Sequence, residues 1–327
     1  MTRWRGLTVH LTIQDSESGS TASIAAEFGF NCYEFVAAFR GRRVDVLAAQ
    51  TQFIERGEKP SWSGIPVLFP FPNRIKGGRF TWDGREYVLP PEKVSHAGEN
   101  AIHGFCLDRP WRVTQQSASA VTGEFRLSQD APDRRDFWPA DFLISVRYEV
   151  LGPALRCDVR VTNPDRVPLP FGFGTHPYFK LPLTAETRFD DCLVQAPVSQ
   201  RYELIDGLPT GRSVPVDEAT DLRDGLELGG IRLDDVYHGV SYQQHGLVTR
   251  VVDPQAGLEV VQICDRSFRE LVVFTPPWMP AVCIEPYTCV TDAIHLQEQG
   301  FDAGLRVLQP DEEFRTWFEL RAGPVVA

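Results

Sequence analysis

Ile144, Val146, Tyr148 and Val150 alternate with Ser145, Arg147 and Glu149, and after Leu151-Gly152-Pro153 the pattern resumes. There Leu155, Cys157, Val159 and Val161 alternate with Arg156, Asp158 and Arg160. A period of two places every apolar side chain on one face of an extended strand, and a Gly-Pro turn between two such runs predicts an antiparallel hairpin with one buried face. The same alternation occurs at Leu7, Val9, Leu11 and Ile13, and shorter strand-like runs occupy 123–128, 258–264, 271–275 and 314–320. Clusters of Gly, Pro, Asn and Asp separate them. One modest helix is expected, around Asp292 to Gln299. Gly (26) and Pro (25) together make up about 16% of the 327 residues, against about 12% in an average chain, which argues against a helical bundle or a coiled coil. Strands spread from residue 7 to residue 320, with no low-complexity linker and no repeat of about 20 to 50 residues between them. The expectation is one domain over residues 1–327, all-β, built as a large antiparallel β-sandwich.

Apolar residues at 43% and charged residues at 24% are the proportions of a chain that folds around a core. The net charge of −11 disfavours a partner held by phosphate neutralisation, so no nucleic-acid partner is expected. No run approaches the roughly 18 apolar residues of a membrane span, and no apolar stretch follows Arg3-Trp4-Arg5 to serve as a signal peptide. A cytoplasmic protein with no membrane partner is expected, as a monomer or homodimer. Seven scattered Cys with no C-x-x-C read as free thiols.

Four segments break the alternation and bring polar residues among apolar ones. In Ile65-Pro66-Val67-Leu68-Phe69-Pro70-Phe71-Pro72-Asn73-Arg74-Ile75, three prolines fix φ and remove donors, which predicts a rigid extended loop. Arg74 on it offers a fork of donors to sugar hydroxyls or a carboxylate; capping carbonyls or pairing with an acid is its structural alternative. His103, followed by Gly104, presents ring nitrogens in a loop, either to a ligand or as a structural His. His176 precedes Pro177 among Phe173, Tyr178 and Phe179, a restrained and apolar setting that suits a catalytic His or a buried structural one. Glu285 lies between Val282-Cys283-Ile284 and Pro286, and an acid in such a run either has an ion-pair partner or faces a site. Asp234 and Asp235 are adjacent acids able to accept from hydroxyls or to solvate a turn. No metal centre is expected, because His96 and His103, like His238 and His245, are seven residues apart, which fits neither a helical zinc pair nor H-x-H. Phosphate-loop, dinucleotide and hydrolase-elbow motifs do not occur.

Taken in order, Leu68-Phe69-Pro70 with Asn73-Arg74-Ile75, Ile102-His103-Gly104-Phe105 with Pro110-Trp111-Arg112-Val113, Gly174-Thr175-His176-Pro177-Tyr178-Phe179, Asp234-Asp235-Val236-Tyr237 and Ile284-Glu285-Pro286 resemble the aldose 1-epimerase (mutarotase) family, of the galactose mutarotase-like superfamily. The resemblance covers roughly residues 20 to 320 and implies a supersandwich fold, a sugar substrate and no cofactor. It implies His176 as general acid and Glu285 as general base, with Arg74, His103, Asp234 and Asn73 binding sugar hydroxyls and Asp235 as the alternative to Asp234. One departure is Val272, at a position where galactose mutarotases carry a Gln, so one hydroxyl contact is missing or supplied elsewhere. A hexose-6-phosphate mutarotase is the close alternative and would need a basic cluster, for which Lys76, Arg79 and Arg40-Gly41-Arg42-Arg43 are the candidates. A sugar-binding protein without turnover is the alternative of another class. With ordinary pKa values, an ionised Glu285 and a protonated His176 would coexist best between about 4.3 and about 6.5.

Overall fold

The computed structural model describes residues 10–326. Among them, the largest sheet has nine strands, in the spatial order Arg112–Gln116, Ala120–Arg126, Leu143–Leu151, Ala154–Thr162, Glu313–Pro324, Leu258–Cys264, Leu247–Asp253, Leu193–Gln195 and Leu226–Glu227. An eight-stranded sheet follows the order Leu208–Pro215, Gln200–Ile205, Asp234–His238, Glu270–Phe274, Ala281–Tyr287, Gly174–Thr175 and Val67–Leu68, with Tyr178–Lys180 also paired to Ala281–Tyr287. Neighbours in both sheets are antiparallel. The architecture is the expected all-β one, two large antiparallel sheets with few short helices.

The alternation explains how the two sheets meet. In the central hairpin Ile144 lies opposite Val161, Val146 opposite Val159, Tyr148 opposite Cys157 and Val150 opposite Leu155, and all eight side chains are buried. From the other sheet Tyr237, Leu271, Val273, Val282 and Ile284 enter the same core. Because side chains alternate across a strand, the intervening residues of those three strands must project from the opposite face. That face carries Asp234, Val236 and His238, then Glu270, Val272 and Phe274, then Cys283, Glu285 and Tyr287.

Several expectations shift in detail. Leu7 and Val9 lie outside the described residues, while Leu11 and Ile13 belong to the strand His10–Gln14. The run at 123–128 is strand only to Arg126, after which Leu127–Asp130 turns into a short helix held by Asp130 and Asp141 side chains on backbone N–H groups. The helix near Asp292 forms as Ala293–Glu298, and Thr51–Arg56 is a further short helix whose weak periodicity gave no signal. The proline-rich loop contains two two-residue strands, Val67–Leu68 and Arg74–Ile75. All seven cysteines are buried free thiols. No described helix is long and apolar enough to cross a membrane.

Trp138 ties the core to the loops that carry polar residues. Its ring packs on Phe71, Phe80 and Phe105, and its Nε1–H donates to the Pro170 carbonyl at 2.9 Å. Trp138→Ala is expected to cost about 3–5 kcal/mol, read as a fall in the urea midpoint with an unchanged slope.

Candidate active site

Two strand segments flank the buried strand Ala281–Tyr287 on one side. Gly174 lies opposite Tyr287, and Tyr178 lies opposite Cys283. Both pairings belong to one register, which sets His176 opposite Glu285. Opposed side chains on one face stand about 4.5–5.5 Å apart at Cβ, within reach of each other. His176 Nε2 and Glu285 Oε1 meet at 3.1 Å, with only 7% and 3% of the side chains exposed. Ladder bonding lapses at this point, and the sequence suits the lapse. Pro177 and Pro286 have no N–H to leave unsatisfied, and the His176 N–H donates instead to the Pro66 carbonyl at 3.1 Å.

Neighbours hold each member of the pair. Tyr178 stacks on the His176 ring, with centroids 4.7 Å apart and planes 5° from parallel, and its hydroxyl donates to the Ser61 carbonyl at 2.9 Å. The buried Tyr287 hydroxyl donates to Glu285 Oε2, fixing the carboxylate so that Oε1 faces His176. Tyr287 escaped the sequence reading, although its position two residues after Glu285 on a strand places it on the same face. Gly174 supplies the room: a Cβ there would lie 2.4 Å from the Tyr287 ring and 2.7 Å from Pro72.

Of the remaining polar groups, Asn73 and His103 arrive on loops and Arg74 on the short strand Arg74–Ile75. Asn73 and His103 both adopt left-handed backbone, with φ of 52° and 66°, a conformation costly for residues with a Cβ. They are locked together by the His103 N–H donating to the Asn73 carbonyl at 2.9 Å. Gly104 lets the two loops touch, since a Cβ would sit 2.1 Å from the Phe69 carbonyl oxygen. Arg74 donates to Asn73 Oδ1 at 2.9 Å, while its carbonyl accepts from the Asp292 N–H at 3.0 Å. His103 meets His176 edge-on, with centroids 5.6 Å apart.

These side chains line a pocket of about 210 Å³. Asn73, Arg74, His103, His176, Asp234 and Glu285 supply its polar wall. Val272, Phe274, Trp62 and Trp278 supply an apolar one, where the two tryptophans stack at 3.9 Å. Asp235 is not part of it. Strand alternation turns it to the other face, where it pairs with Arg201 at 3.6 Å, so Asp234 is the acid at the pocket. Lys76, Arg79, Arg40, Arg42 and Arg43 do not line the pocket either, and Arg74 is the one cationic side chain in its wall among the described residues. Arg79 instead approaches Glu86, and Arg42 and Arg43 donate to the Ala256 and Gly19 carbonyls.

The family model for aldose 1-epimerase matches residues 42–321. The chain belongs to the aldose 1-epimerase family. Similar sequences include the uncharacterised protein YihR of Escherichia coli K12, 25% identical over 78% of this chain and 77% of that one. The galactose mutarotase of Rattus norvegicus is 30% identical over 63% of this chain, a match spanning 56% of the rat protein. Among solved structures, a galactose mutarotase-like protein of Clostridium acetobutylicum superposes with a TM-score of 0.84 at 21% identity, covering 97% of this chain and 96% of that one. The aldose epimerase homologue of Caenorhabditis elegans does so at 0.80 and 20% identity, covering 98% and 100%.

Burial governs the protons of this epimerase-family pocket. It pushes the Glu285 carboxyl well above the usual carboxylate range, opposed by the Tyr287 hydrogen bond, and it holds His176 down at about 3. His103 is also held well below its ordinary value, by burial first and then by His176 and Arg74. Desolvation raises Asp234, against the pull of Arg74. The window between about 4.3 and about 6.5 expected from ordinary values therefore does not apply. Each of the pair resists its charged form, so His176 and Glu285 together hold one proton from about pH 3 up to the raised titration of Glu285. In a ¹⁵N NMR titration the His176 ring should keep its neutral-imidazole signature down to about pH 5; a midpoint near the ordinary value of about 6.5 would contradict the burial argument.

Proposed function

We propose that this chain interconverts the α and β anomers of a neutral hexose by opening and reclosing the hemiacetal ring. The direct contact of His176 with Glu285 at 3.1 Å, inside a pocket of sugar-sized volume, carries this reading. Ring opening needs a base for the proton of the C1 hydroxyl and an acid for the ring oxygen. A buried His–Glu pair that shares one proton holds both capacities at once. Glu285 accepts the C1 hydroxyl proton as the C1–O bond becomes a carbonyl. His176 gives its proton to the ring oxygen as the bond from C1 to that oxygen breaks. Rotation about C1–C2 exposes the other face of the aldehyde, and closure returns both protons. This assignment draws on the pair with its one proton passed from Glu285 to His176 across their 3.1 Å contact. The reverse assignment, neutral His176 as base and protonated Glu285 as acid, uses the same proton count and starts from the distribution that burial favours.

Asn73, Arg74, His103 and Asp234 bind the ring hydroxyls in this reading. Arg74 donates only, Asp234 accepts when ionised, and Asn73 and neutral His103 do both, which matches hydroxyls that each give and take hydrogen bonds. A neutral sugar is favoured over a hexose 6-phosphate because Arg74 is the single Lys or Arg in the wall among the described residues, where a dianionic phosphate would call for a basic cluster.

Polarimetry on freshly dissolved α-galactose and α-glucose should show accelerated equilibration, and Glu285→Gln or His176→Asn should each slow it by about 10² to 10⁴. Full activity in Glu285→Gln would refute the assignment. Anomer-exchange NMR should show faster turnover of glucose than of glucose 6-phosphate, the opposite order favouring the phosphate reading.

Tyr287 acts as a positioning residue for Glu285. Its hydrogen bond favours the carboxylate, so Tyr287→Phe raises the Glu285 titration further. The alkaline limb of the kcat profile should then move to higher pH while the urea midpoint changes little. A loss of activity with no displacement of that limb would leave Tyr287 a packing role only.

A further inference from the structure

The strand Asp234–His238 ends at a second pocket. Asp234 and His238 project from the same face, four residues or about 13 Å apart, with the buried Val236 between them. Around His238 lies a cavity of about 260 Å³ walled in part by Tyr202, Ser213, Arg269, Phe301 and Asp302. Nothing in the proposed reaction uses these groups.

The pocket is organised around a buried acid. Glu270 is fully buried, on a face whose neighbours Val236, Val272 and Leu296 are apolar. A lone carboxylate there is costly, and an apolar residue would pack at less expense. Glu270 instead accepts from His238 Nδ1 through both oxygens, at 3.1 and 3.0 Å, with Arg269 Nε 3.5 Å away. With Nδ1 committed, Nε2 is the ring nitrogen left for a ligand, on a side chain 32% exposed. A carboxylate-oriented histidine at a pocket wall is the arrangement of functional histidines.

The charges define the ligand class. Arg269 is held by Asp302 at 2.9 and 3.0 Å, and His238 by Glu270, so each cation is matched and no surplus remains for a phosphate or carboxylate. What remains is a mixed set: His238 Nε2, the Tyr202 hydroxyl, Ser213 Oγ as an acceptor since it donates to Gln200 at 2.8 Å, and the lone pairs of Asp302 not used by Arg269, beside the Tyr202 and Phe301 rings. Such a wall suits a neutral, polyhydroxylated ligand with alternating polar and C–H edges. We propose that this pocket is a second, non-catalytic carbohydrate-binding site on the same sheet face as the His176–Glu285 pocket. It requires no turnover at the first pocket.

NMR titration of the labelled full chain with D-galactose, D-glucose and methyl α-D-galactopyranoside tests it. At least one of them should give saturable shifts at Tyr202, His238 and Arg269, with millimolar affinity. Ser213→Trp fills the pocket from an exposed position without touching Glu270. It should weaken those shifts about tenfold or more while leaving the mutarotation rate unchanged. His238→Gln, which keeps a donor for Glu270, should weaken them as well. Arg74→Ala should remove only the shifts around the first pocket. The proposal is overturned if none of the three sugars perturbs Tyr202, His238 or Arg269, whether or not mutarotation is observed. Persistence of those shifts in Ser213→Trp, or their loss in Arg74→Ala, overturns it equally.

Discussion

The opposition of His176 and Glu285 across two antiparallel strands is the constraint around which the rest of the pocket is arranged. Their contact at 3.1 Å follows from a register shared by the pairings on either side of it. A slip of one residue would send both side chains to the other face of the sheet. The prolines that follow each of them remove the two N–H groups that an uninterrupted ladder would have employed, and Pro66 takes the one that remains. Tyr178 and Tyr287, each two residues from a member of the pair, then immobilise the imidazole and the carboxylate from the same face.

Burial does more here than hold the sheets together. The hairpin formed by Leu143–Leu151 and Ala154–Thr162 fills the space between the sheets, leaving the far face of the eight-stranded sheet free to carry polar groups. On that face the apolar surroundings set the chemistry, because they penalise both an ionised Glu285 and a charged His176. Two groups that each resist charge are a stable store for one mobile proton. The balance differs at His238 and Glu270, where about a third of the histidine side chain (32%) is exposed and its charge is favoured by the hydrogen-bonded acid behind it.

Much of this was legible in the residues. Alternation at 144–161 specified the hairpin and its buried face, and the proline-flanked His176 and Glu285 stood out as polar residues in apolar runs. Which strands lie side by side was not legible, because pairing between distant segments, such as His176 with Glu285 or Val236 with Val272, leaves no local periodicity. For that reason Asp234 could not be separated from Asp235, whereas the placement of Tyr287 follows from alternation once Ala281–Tyr287 is known to be a strand. Only once Val236 is known to sit beside Val272 does alternation assign one acid to the pocket and the other to Arg201. Ordinary pKa values misjudged the proton window for a similar reason, since solvation depends on what the fold packs overhead.

The groups of the pocket divide between the sheet and the segments that connect its strands. Glu285 lies on a strand, His176 in the two-residue gap between Gly174–Thr175 and Tyr178–Lys180 and Arg74 on the short strand Arg74–Ile75, whereas Asn73, His103, Trp62 and Trp278 reach the pocket from connecting segments. Insertions and substitutions in those segments alter the pocket's outline without disturbing the register that brings the pair together. A scaffold of this kind lets the outline of the pocket vary with its loops while the register that opposes His176 to Glu285 stays in place.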